Sequence, residues 1–303
     1  MTTLLRLLSL ALLLSPIVPA FAGHPVADGS WVSKSTEIPL VTSRVASSFV
    51  FGSQFENHPE ASGNAYMGTV DVGWRIPLQI IDPNSGWFLQ LGSRYERFAF
   101  GHEGGLPLPN SLQEASALVA LEYFHDGDLG VLVQVRPGFY FENDPGSGSF
   151  DAPITAGVAI PVFKDFYALV GLNASFLRSV PIIPALGFFW RINPQWTVLA
   201  SAPEPRITFQ PVDHLSFWLG GQIIGGGYQV DRNSGRPSGL SGTVVTYSEY
   251  RAGAGVRWTA DALSAEIGGG YSFMRQFDYA RENIAYRTED GAAYLQAEVR
   301  MQF

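Results

Sequence analysis

His214 and Ser216 form the arrangement in this sequence that comes closest to a catalytic site. The two residues stand two apart, so on a β-strand their side chains share one face. A serine becomes a nucleophile when a general base such as histidine lies within hydrogen-bond reach. Ester hydrolysis is therefore one hypothesis, and it depends on where the chain places this pair.

Other chemistry finds little support in the residue pattern. The remaining histidines have no metal-ligand spacing: His24, His58, His102 and His125. The glycine-rich runs, such as Gly225 to Gly227, are not followed by the Lys-Ser/Thr of a phosphate loop. Glycines within strands more often mark a bend or leave space for a bulky neighbour. The net charge of -8 argues against a nucleic-acid partner. We expect no cofactor, no metal and no enzymatic activity.

Alternation with a period of two recurs along most of the chain. The composition is 46% hydrophobic and only 15% charged, yet the apolar residues are dispersed rather than collected in one block. Near the end, one face carries Ala293, Leu295, Ala297, Val299, Met301 and Phe303, and the other carries Tyr294, Gln296, Glu298, Arg300 and Gln302. Strands of about 9–11 residues with this alternation are typical of membrane barrels.

The same pattern predicts fourteen strands. They lie near 43–56, 65–78, 86–99, 112–125, 128–142, 151–162, 166–178, 185–192, 195–202, 205–210, 214–230, 243–258, 262–278 and 290–303. Twelve is the alternative count, because the strands between 185 and 210 are short and flanked by proline. Inside lipid a sheet satisfies its backbone groups only by closing. The predicted fold class is all-β, a transmembrane antiparallel β-barrel.

The connections between these strands alternate in length. With both termini in the periplasm, the connections that face outside should be the longer ones. These are 57–64, 100–111, 143–150, 179–184, 231–242 and 279–289. The predicted periplasmic turns are 79–85, 126–127, 163–165, 193–194, 211–213 and 259–261. The short outer connection around Pro203-Glu204-Pro205 breaks the rule.

The predicted inner face carries charges of both signs. The candidate lumen-lining residues are Arg75, Arg94, Glu96, Arg136, Glu142, Arg206, Glu249, Arg251, Arg257, Glu266, Glu298 and Arg300, with Arg44, Asp71 and Glu122 on the same face. Rows of arginine could line a water-filled constriction that favours anions. Alternatively, Arg–Glu networks could fill the lumen. Fourteen strands leave more space than side chains occupy, so water, an inward-folded loop or a plug is expected.

Aromatic residues mark one membrane interface. Five tryptophans lie near the predicted periplasmic turns and point outward: Trp74, Trp87, Trp190, Trp196 and Trp258. Indole rings prefer the interface between membrane and water, so we interpret the five as a periplasmic aromatic girdle. The terminal Phe303 resembles the C-terminal signature of bacterial outer-membrane proteins. That resemblance implies recognition by the barrel assembly machinery.

The N-terminus resembles a secretory signal peptide. Arg6 precedes the apolar run from Leu7 to Leu14, and Ala20-Phe21-Ala22 fits a cleavage site. We predict a signal peptide at 1–22, an N-terminal tail or plug at 23–42, and the barrel at 43–303. A retained anchor helix is the alternative. The sequence has no cysteine, so neither a lipid at the cleavage site nor a disulfide framework is expected.

Two segments resemble known families. The pair His214 and Ser216 shares one strand face, as in the outer-membrane phospholipases, but no asparagine follows to match that pattern and His214 is predicted at a periplasmic turn. Another segment contains Pro181-Ile182-Ile183-Pro184, Gly187, Trp190, Pro194, Trp196 and Pro203-Glu204-Pro205-Arg206. It resembles the central motif of an uncharacterised family of exported outer-membrane proteins. That resemblance implies a barrel and singles out the inward-pointing Arg206.

Three functional hypotheses follow. The first is a passive outer-membrane channel or transporter for small solutes, suggested by the polar, arginine-bearing inner face. The second is a non-conducting structural or adhesion barrel whose lumen is closed by Arg–Glu pairing. The third is a lipid-modifying enzyme at His214 and Ser216. The expected location is the bacterial outer membrane, with its lipids, the assembly machinery and a small solute as partners.

Overall fold

The computed structural model describes residues 41–78, 86–103, 105–123, 129–232, 237 and 239–303. The predicted signal peptide, nearly all of the predicted tail, and the predicted turns 79–85 and 126–127 lie outside these residues. No helix in these ranges is long and apolar enough to span a lipid bilayer.

Fourteen strands account for most of the described residues. Their bounds are β1 Val41–Phe55, β2 His58–Pro77, β3 Trp87–His102, β4 Ser111–Tyr123, β5 Gly130–Val135 continued by Gly138–Phe141, β6 Phe150–Asp151 continued by Ile154–Phe163, β7 Phe166–Ala174, β8 Ile182–Asn193, β9 Trp196–Ser201, β10 Arg206–Val212, β11 Leu215–Gln229, β12 Val244–Ala260, β13 Leu263–Tyr279 and β14 Ile284–Arg287 continued by Ala292–Gln302.

The strands form a closed antiparallel barrel. Each pairs with its neighbours in chain order, and β14 pairs back onto β1 from Thr42↔Gln302 to Val50↔Tyr294. The predicted fold class is therefore confirmed with fourteen strands rather than twelve. The short strands between 185 and 210 are real, and β9 pairs with both β8 and β10.

Prolines interrupt two strands without changing their register. Val135 pairs with Val119, and Gly138, beyond Pro137, pairs with Ser116 in the same register. Strand β6 has a similar interruption at Pro153. Proline has no backbone N–H to donate to the ladder, so the hydrogen bonding is interrupted locally while the strand continues.

One end of the barrel has tight turns and will be called the turn end. Among the described connections there, 164–165, 194–195, 213–214 and 261–262 contain two residues each, as the alternation predicts. The opposite, loop end carries the longer connections 103–110, 142–149, 175–181 and 230–243.

Two predicted outer connections are wrong. In 279–289, Ile284–Arg287 is a strand that pairs with β13 from Gln276↔Arg287 to Tyr279↔Ile284, so the ladder continues there. The segment 57–64 was expected to be a long outer connection, but β1 and β2 keep pairing as far as Phe55↔His58. Only residues 56–57 remain for the turn, where Asn57 has a φ of 60°. An antiparallel ladder can continue beyond a membrane into water. The polar residues of that extension do not alternate with apolar ones, so the sequence pattern does not reveal where the strands end.

The alternation separates an apolar outer face from a different inner face. On β1, Val45, Phe49 and Phe51 are exposed, whereas Ala46 and Ser48 are buried. Leu132 of β5 is an apolar residue at an inward position, and it is buried. An apolar outer surface is what a lipid environment requires of a barrel.

Buried apolar side chains fill the loop half of the lumen. This loop-end cluster contains Val50, Phe55, Ala61, Ala65, Phe98, Phe100, Leu106, Leu108, Leu112, Tyr140, Leu177, Tyr228, Val230, Leu240, Val244, Val245, Tyr247, Phe277, Tyr279, Ala292 and Tyr294. Five members, Leu106, Leu108, Leu177, Val230 and Leu240, belong to connections rather than strands. Three outer loops therefore fold into the barrel.

Strand β11 has an unusual backbone conformation near one of these loops. Its pairing with β10 ends at Arg206↔Gly220, and Gly225 adopts a φ of +124°. A Cβ atom at Gly227 would collide with the carbonyl oxygen of Leu177. Glycine thus permits both the left-handed backbone and the close approach of the loop 175–181.

Candidate functional site

The candidate site is the lumen, and its polar part begins beside the seam between β1 and β14. Arg44 forms ion pairs with Asp71 at 3.2 Å and with Glu298 at 2.7 Å. Arg300 pairs with the same Glu298 at 3.0 Å. These inward side chains connect β1, β2 and β14 across the inner surface.

Strand β3 extends this network. Arg94 contacts Glu96 at 2.6 Å and Asp71 at 3.5 Å. The hydroxyl of Thr69 donates to Glu96 at 3.1 Å. Arg94 and Glu96 are both nearly inaccessible to solvent, so their charges depend on one another for stabilisation.

Nearer the turn end, Arg75 forms an ion pair with Glu122. Gln90 donates to the same carboxylate at 2.7 Å. The Arg75 guanidinium also lies 4.6 Å from the centre of the Phe88 ring. This arginine is satisfied by a carboxylate and by an aromatic face.

A second network adjoins the first, on β10, β12 and β13, with Glu266 of β13 directly opposite Glu298 of β14. Glu266 accepts from Arg206 at 3.2 Å and from Arg257 at 2.7 Å. Arg206, which the motif of the resembled family singles out, points into the lumen and stacks 4.4 Å from the Trp218 ring. Its charge is therefore paired rather than presented to a water-filled path.

Trp218 occupies a space made by glycines. It is 4% exposed and points inward, unlike the five girdle tryptophans. Cβ atoms at Gly255 or Gly268 would collide with its ring. The glycine-rich stretches of β12 and β13 thus leave space for a bulky neighbour, as expected. A tryptophan at an inward position, opposite a run of glycines, is the sequence pattern that indicates this packing.

Midway along the lumen, Arg251 and Glu249 form the most deeply buried pair. Arg251 Nε lies 2.7 Å from Glu249 Oε1, and each side chain is 1% exposed. Tyr247 donates to Glu249 at 2.8 Å, and Arg251 donates to Ser48 at 3.0 Å. The ring of Tyr294 covers the guanidinium.

A further pair stands below the loop-end cluster. Arg136 Nη1 contacts Glu114 Oε1 at 3.1 Å, and Ser116 donates to that carboxylate at 2.6 Å. The hydroxyl of Tyr140 donates to the carbonyl oxygen of Arg136 at 3.1 Å. Every group in this cluster is buried.

Glu142 lies at the loop end rather than along the lumen wall. Its carboxylate accepts from the backbone N–H of Asp231 at 3.1 Å. Asn143 donates to the Asp231 side chain at 2.7 Å. Glu142 therefore holds the connection 230–243 across the barrel against β5.

The loop 175–181 is held by a single carboxylate. Asp151 accepts from the Ser175 hydroxyl at 2.6 Å and from the backbone N–H groups of Phe176 and Leu177 at 3.2 and 3.3 Å. On the other side, the N–H of Ser179 donates to the Thr246 hydroxyl at 3.2 Å. The loop is thereby pinned between β6 and β12.

Two buried arginines were missing from the predicted site. Arg178 donates to Asn173, and Arg275 donates to Ser53 and to the carbonyl oxygen of Gly63. Within the described residues, neither lies within ion-pair distance of a carboxylate. Arg178 lies at the end of the predicted strand 166–178, but β7 ends at Ala174 and Arg178 belongs to the connection 175–181.

The wall between β6 and β9 has an apolar inner face near the turn end. This turn-end cluster contains Ala159, Tyr167, Leu169, Phe189 and Leu199. The turn half of the lumen is thus polar on one side and apolar on the other. The sequence signal was a stretch, 154–172, that is apolar on both strand faces and whose two charged residues, Lys164 and Asp165, both lie in its turn.

Outward aromatic residues lie near both ends of the barrel. Trp74, Trp190, Trp196 and Trp258 are exposed near the turn end. The ring of Trp87 contacts that of Tyr123 in a tilted arrangement, with 5.0 Å between the ring centres. A second group near the loop end did not enter the sequence prediction. It contains Phe49, Phe51, Tyr66, Tyr95, Phe139, Phe150, Tyr271 and Phe273.

The remaining predicted residues lie at the turn end. His214 is in the turn before β11, where its carbonyl oxygen accepts from the N–H of Thr259. No hydrogen bond joins the His214 and Ser216 side chains in the described part of the chain. Phe303 is exposed, and its backbone exchanges two hydrogen bonds with Val41.

Comparisons with known proteins give a likeness in structure only. No protein-family model matches the chain, and no curated protein matches its sequence. The solved structures that resemble it include a mutant of the TodX monoaromatic hydrocarbon channel, at 8% identity and a TM-score of 0.48, covering 90% of this chain and 94% of that one. They also include an outer membrane channel from Pseudomonas putida F1, at 10% identity and a TM-score of 0.48, covering 89% and 97%.

A FadL homologue from Pseudomonas aeruginosa is also similar, at 10% identity and a TM-score of 0.42, covering 88% of this chain and 91% of that one. The barrel architecture described above rests on the strand pairing of this chain alone. Membership of the uncharacterised family suggested by residues 181–206 stays a prediction.

Proposed function

We propose that this chain is an outer-membrane transport barrel whose lumen is closed at rest by its own loops. The proposal rests on the fact that connections, and not only strands, supply side chains to the loop-end cluster. Leu106, Leu108, Leu177, Val230 and Leu240 come from connections. Loops open with lower free energies than the strands that hold them, so this closure can be reversed while the wall stays intact.

The height of the outer aromatic groups supports a membrane location. Trp74 and Tyr66 stand eight residues apart on β2, which is about 26 Å along a strand at about 3.3 Å per residue. Strands of outer-membrane barrels tilt by about 40°, so this distance spans ~20 Å, close to their apolar band of ~25 Å. The turn end would then face the periplasm.

The lumen favours a solute that is not a hydrated inorganic ion. The inward arginines of β1, β2, β3 and β10 have carboxylate partners, so they do not form the bare row that would attract anions. The loop half is apolar, and the turn half is apolar along β6 to β9. A small apolar or amphipathic solute would match these surfaces.

A closed structural barrel is the second candidate function. The Arg–Glu pairing of the inner face favours it, because paired charges on neighbouring strands stiffen the wall and attract ions less strongly than unpaired charges would. This alternative predicts that displacing the loops produces no conducting path.

A disulfide between the loop and the wall distinguishes the two functions. Because the chain lacks cysteine, the double variant Ser179→Cys/Thr246→Cys would contain a single thiol pair, placed where the Ser179 N–H already contacts the Thr246 hydroxyl. The refolded protein would be studied in a planar bilayer under oxidising conditions and after reduction. The two single-cysteine variants are the matched controls.

Gated transport predicts openings in wild type, silence of the oxidised double variant, and recovery after reduction. Unchanged openings in the oxidised variant would contradict closure by the loop 175–181. Silence of every form, including one that lacks residues 23–40, would favour the structural barrel. That deletion spares Val41 and Thr42 of β1 and also tests the predicted plug, since openings restricted to it would assign closure to the tail.

A further inference from the structure

Inside the barrel, a small cavity lies at the boundary between the loop-end cluster and the polar lumen. It is about 10 Å³ in volume, and the side chains and backbone that line it include Glu114, Arg136, Tyr140, Ser175 and Arg178. That volume accommodates about one water molecule. Its lining combines two guanidinium groups with one carboxylate.

The two carboxylates nearest this cavity are already engaged. Glu114 pairs with Arg136 and accepts from Ser116. Asp151 accepts from the Ser175 hydroxyl and from two backbone N–H groups of the loop. Of the two arginines that line the cavity, Arg178 is therefore the one with no carboxylate at ion-pair distance among the described residues.

The environment of Arg178 is costly for an isolated charge. Arg178 is 7% exposed, its Nη1 donates to Asn173, and its Nε has no hydrogen-bond partner in the described part of the chain. Burial, followed by the nearby Arg136, lowers the pKa of Arg178 to about 10. A buried charge of this kind is stabilised by an anion that accepts its free N–H.

We propose that Arg178 and Arg136 form a subsite for the carboxylate of a small amphipathic solute. The proposal rests on the transport function above and names the class of solute. A free inorganic anion would satisfy the guanidinium groups equally, but the site is continuous with an apolar surface. Tyr140 and Tyr228 belong both to the cavity wall and to the loop-end cluster.

The loop links this subsite to closure of the barrel. Leu177 precedes Arg178 and packs in the loop-end cluster, where the apolar part of a solute would lie. When an aromatic solute enters there, its ring displaces Leu177 and its carboxylate forms an ion pair with Arg178. Binding would therefore compete with the resting position of the loop 175–181, so the solute itself favours opening.

Calorimetric titration of the detergent-solubilised barrel at neutral pH tests the subsite without requiring transport. The main probe is benzoate. Benzyl alcohol keeps the ring but lacks the charge, whereas acetate and phosphate are charged but lack the ring. We expect benzoate to bind more tightly than the other three. Equal binding of benzyl alcohol would overturn the role of charge. Equal binding of acetate or phosphate would overturn the amphipathic class.

Variants locate the site. Arg178→Gln should weaken benzoate binding at least about tenfold, the effect of losing one charge-assisted hydrogen bond. Arg178→Lys, which keeps the charge, should bind with intermediate affinity. The matched control, Arg287→Gln, changes an exposed arginine and should leave binding unaltered. Benzoate affinity in Arg178→Gln equal to that of wild type would overturn the assignment.

Leu177→Ala supplies an independent check, because it removes the side chain that the ring must displace. Benzoate should bind several-fold more tightly to this variant, and unchanged affinity would contradict the position of the ring. Binding at Arg178 in a barrel that never conducts would leave the subsite standing and refute transport. Conductance without benzoate binding would support transport and refute the subsite.

Discussion

At the scale of single residues, most charged side chains of the lumen are stabilised by a specific partner. Removing one member of a buried ion pair lowers the free energy of unfolding by more than the intact pair contributes, because the remaining charge is left uncompensated. The pair of Glu249 and Arg251 is the most enclosed case, with hydroxyl groups of Tyr247 and Ser48 completing it. Sequence alternation places both residues on the inner face, but it cannot indicate which acid meets which base.

Glu249→Gln should destabilise the barrel by about 3–5 kcal/mol, because it leaves the Arg251 charge buried without a carboxylate. Urea unfolding followed by electrophoretic mobility measures the loss. The double variant Glu249→Gln/Arg251→Met should recover most of it, and Glu289→Gln, on an exposed loop residue, is the control. A loss below about 1 kcal/mol would mean that Arg251 is solvated like a surface charge.

Gly268→Ala should cost about 1–3 kcal/mol, since the new methyl group would overpack against the Trp218 ring. Gly52→Ala is the control, because nothing lies within 4 Å of a Cβ atom there. Adding Trp218→Leu should relieve the defect, and urea unfolding checks each variant. Equal stabilities of the two glycine variants would show that the ring does not need this space.

At the scale of elements, the strands were predictable and the loops were not. A period of two defines which face a residue occupies, so the alternation predicted fourteen strands and the inward direction of the charged side chains. It locates the connections but carries no information on how they fold. The inward fold of 175–181 and the left-handed backbone at Gly225 are not encoded in it, and neither is the extension of the β1–β2 ladder.

Asp151→Ala should increase the frequency of openings in a planar bilayer, because the loop 175–181 loses the acceptor of three of its donors. Asp144→Ala, on an exposed connection, should behave as wild type. Native electrophoretic mobility would verify that both barrels are folded. Identical opening frequencies in the two variants would show that Asp151 does not restrain the loop.

At the scale of the whole molecule, the barrel reverses the usual arrangement of a folded protein. Its outer face is apolar, and much of its inner face is polar and paired. The composition predicted this inversion through hydrophobic residues dispersed by alternation. The apolar inner wall between β6 and β9 was not predicted, although residues 154–172 are apolar on both strand faces and would present an apolar surface to the lumen in either orientation.

Val70→Arg should destabilise the barrel in lipid vesicles by about 2–4 kcal/mol, the cost of a cation near the middle of a bilayer. Val70 is exposed on the outer face between the levels of Trp74 and Tyr66. His58→Arg, at the loop end, should change stability little. Urea unfolding in vesicles and in detergent gives the comparison. Equal costs for the two variants would refute the proposed position of the membrane.

The seam between β1 and β14 has a consequence for how the barrel comes into being. Arg44 meets Glu298 across 254 positions of sequence, and the wall is complete only when these two strands join. Until then both flanking edges carry unpaired backbone groups that could add to another chain. Closure of such a remote contact is slow. A chaperone that covered these edges until the final strand arrived would protect the nascent polypeptide from pairing with other chains.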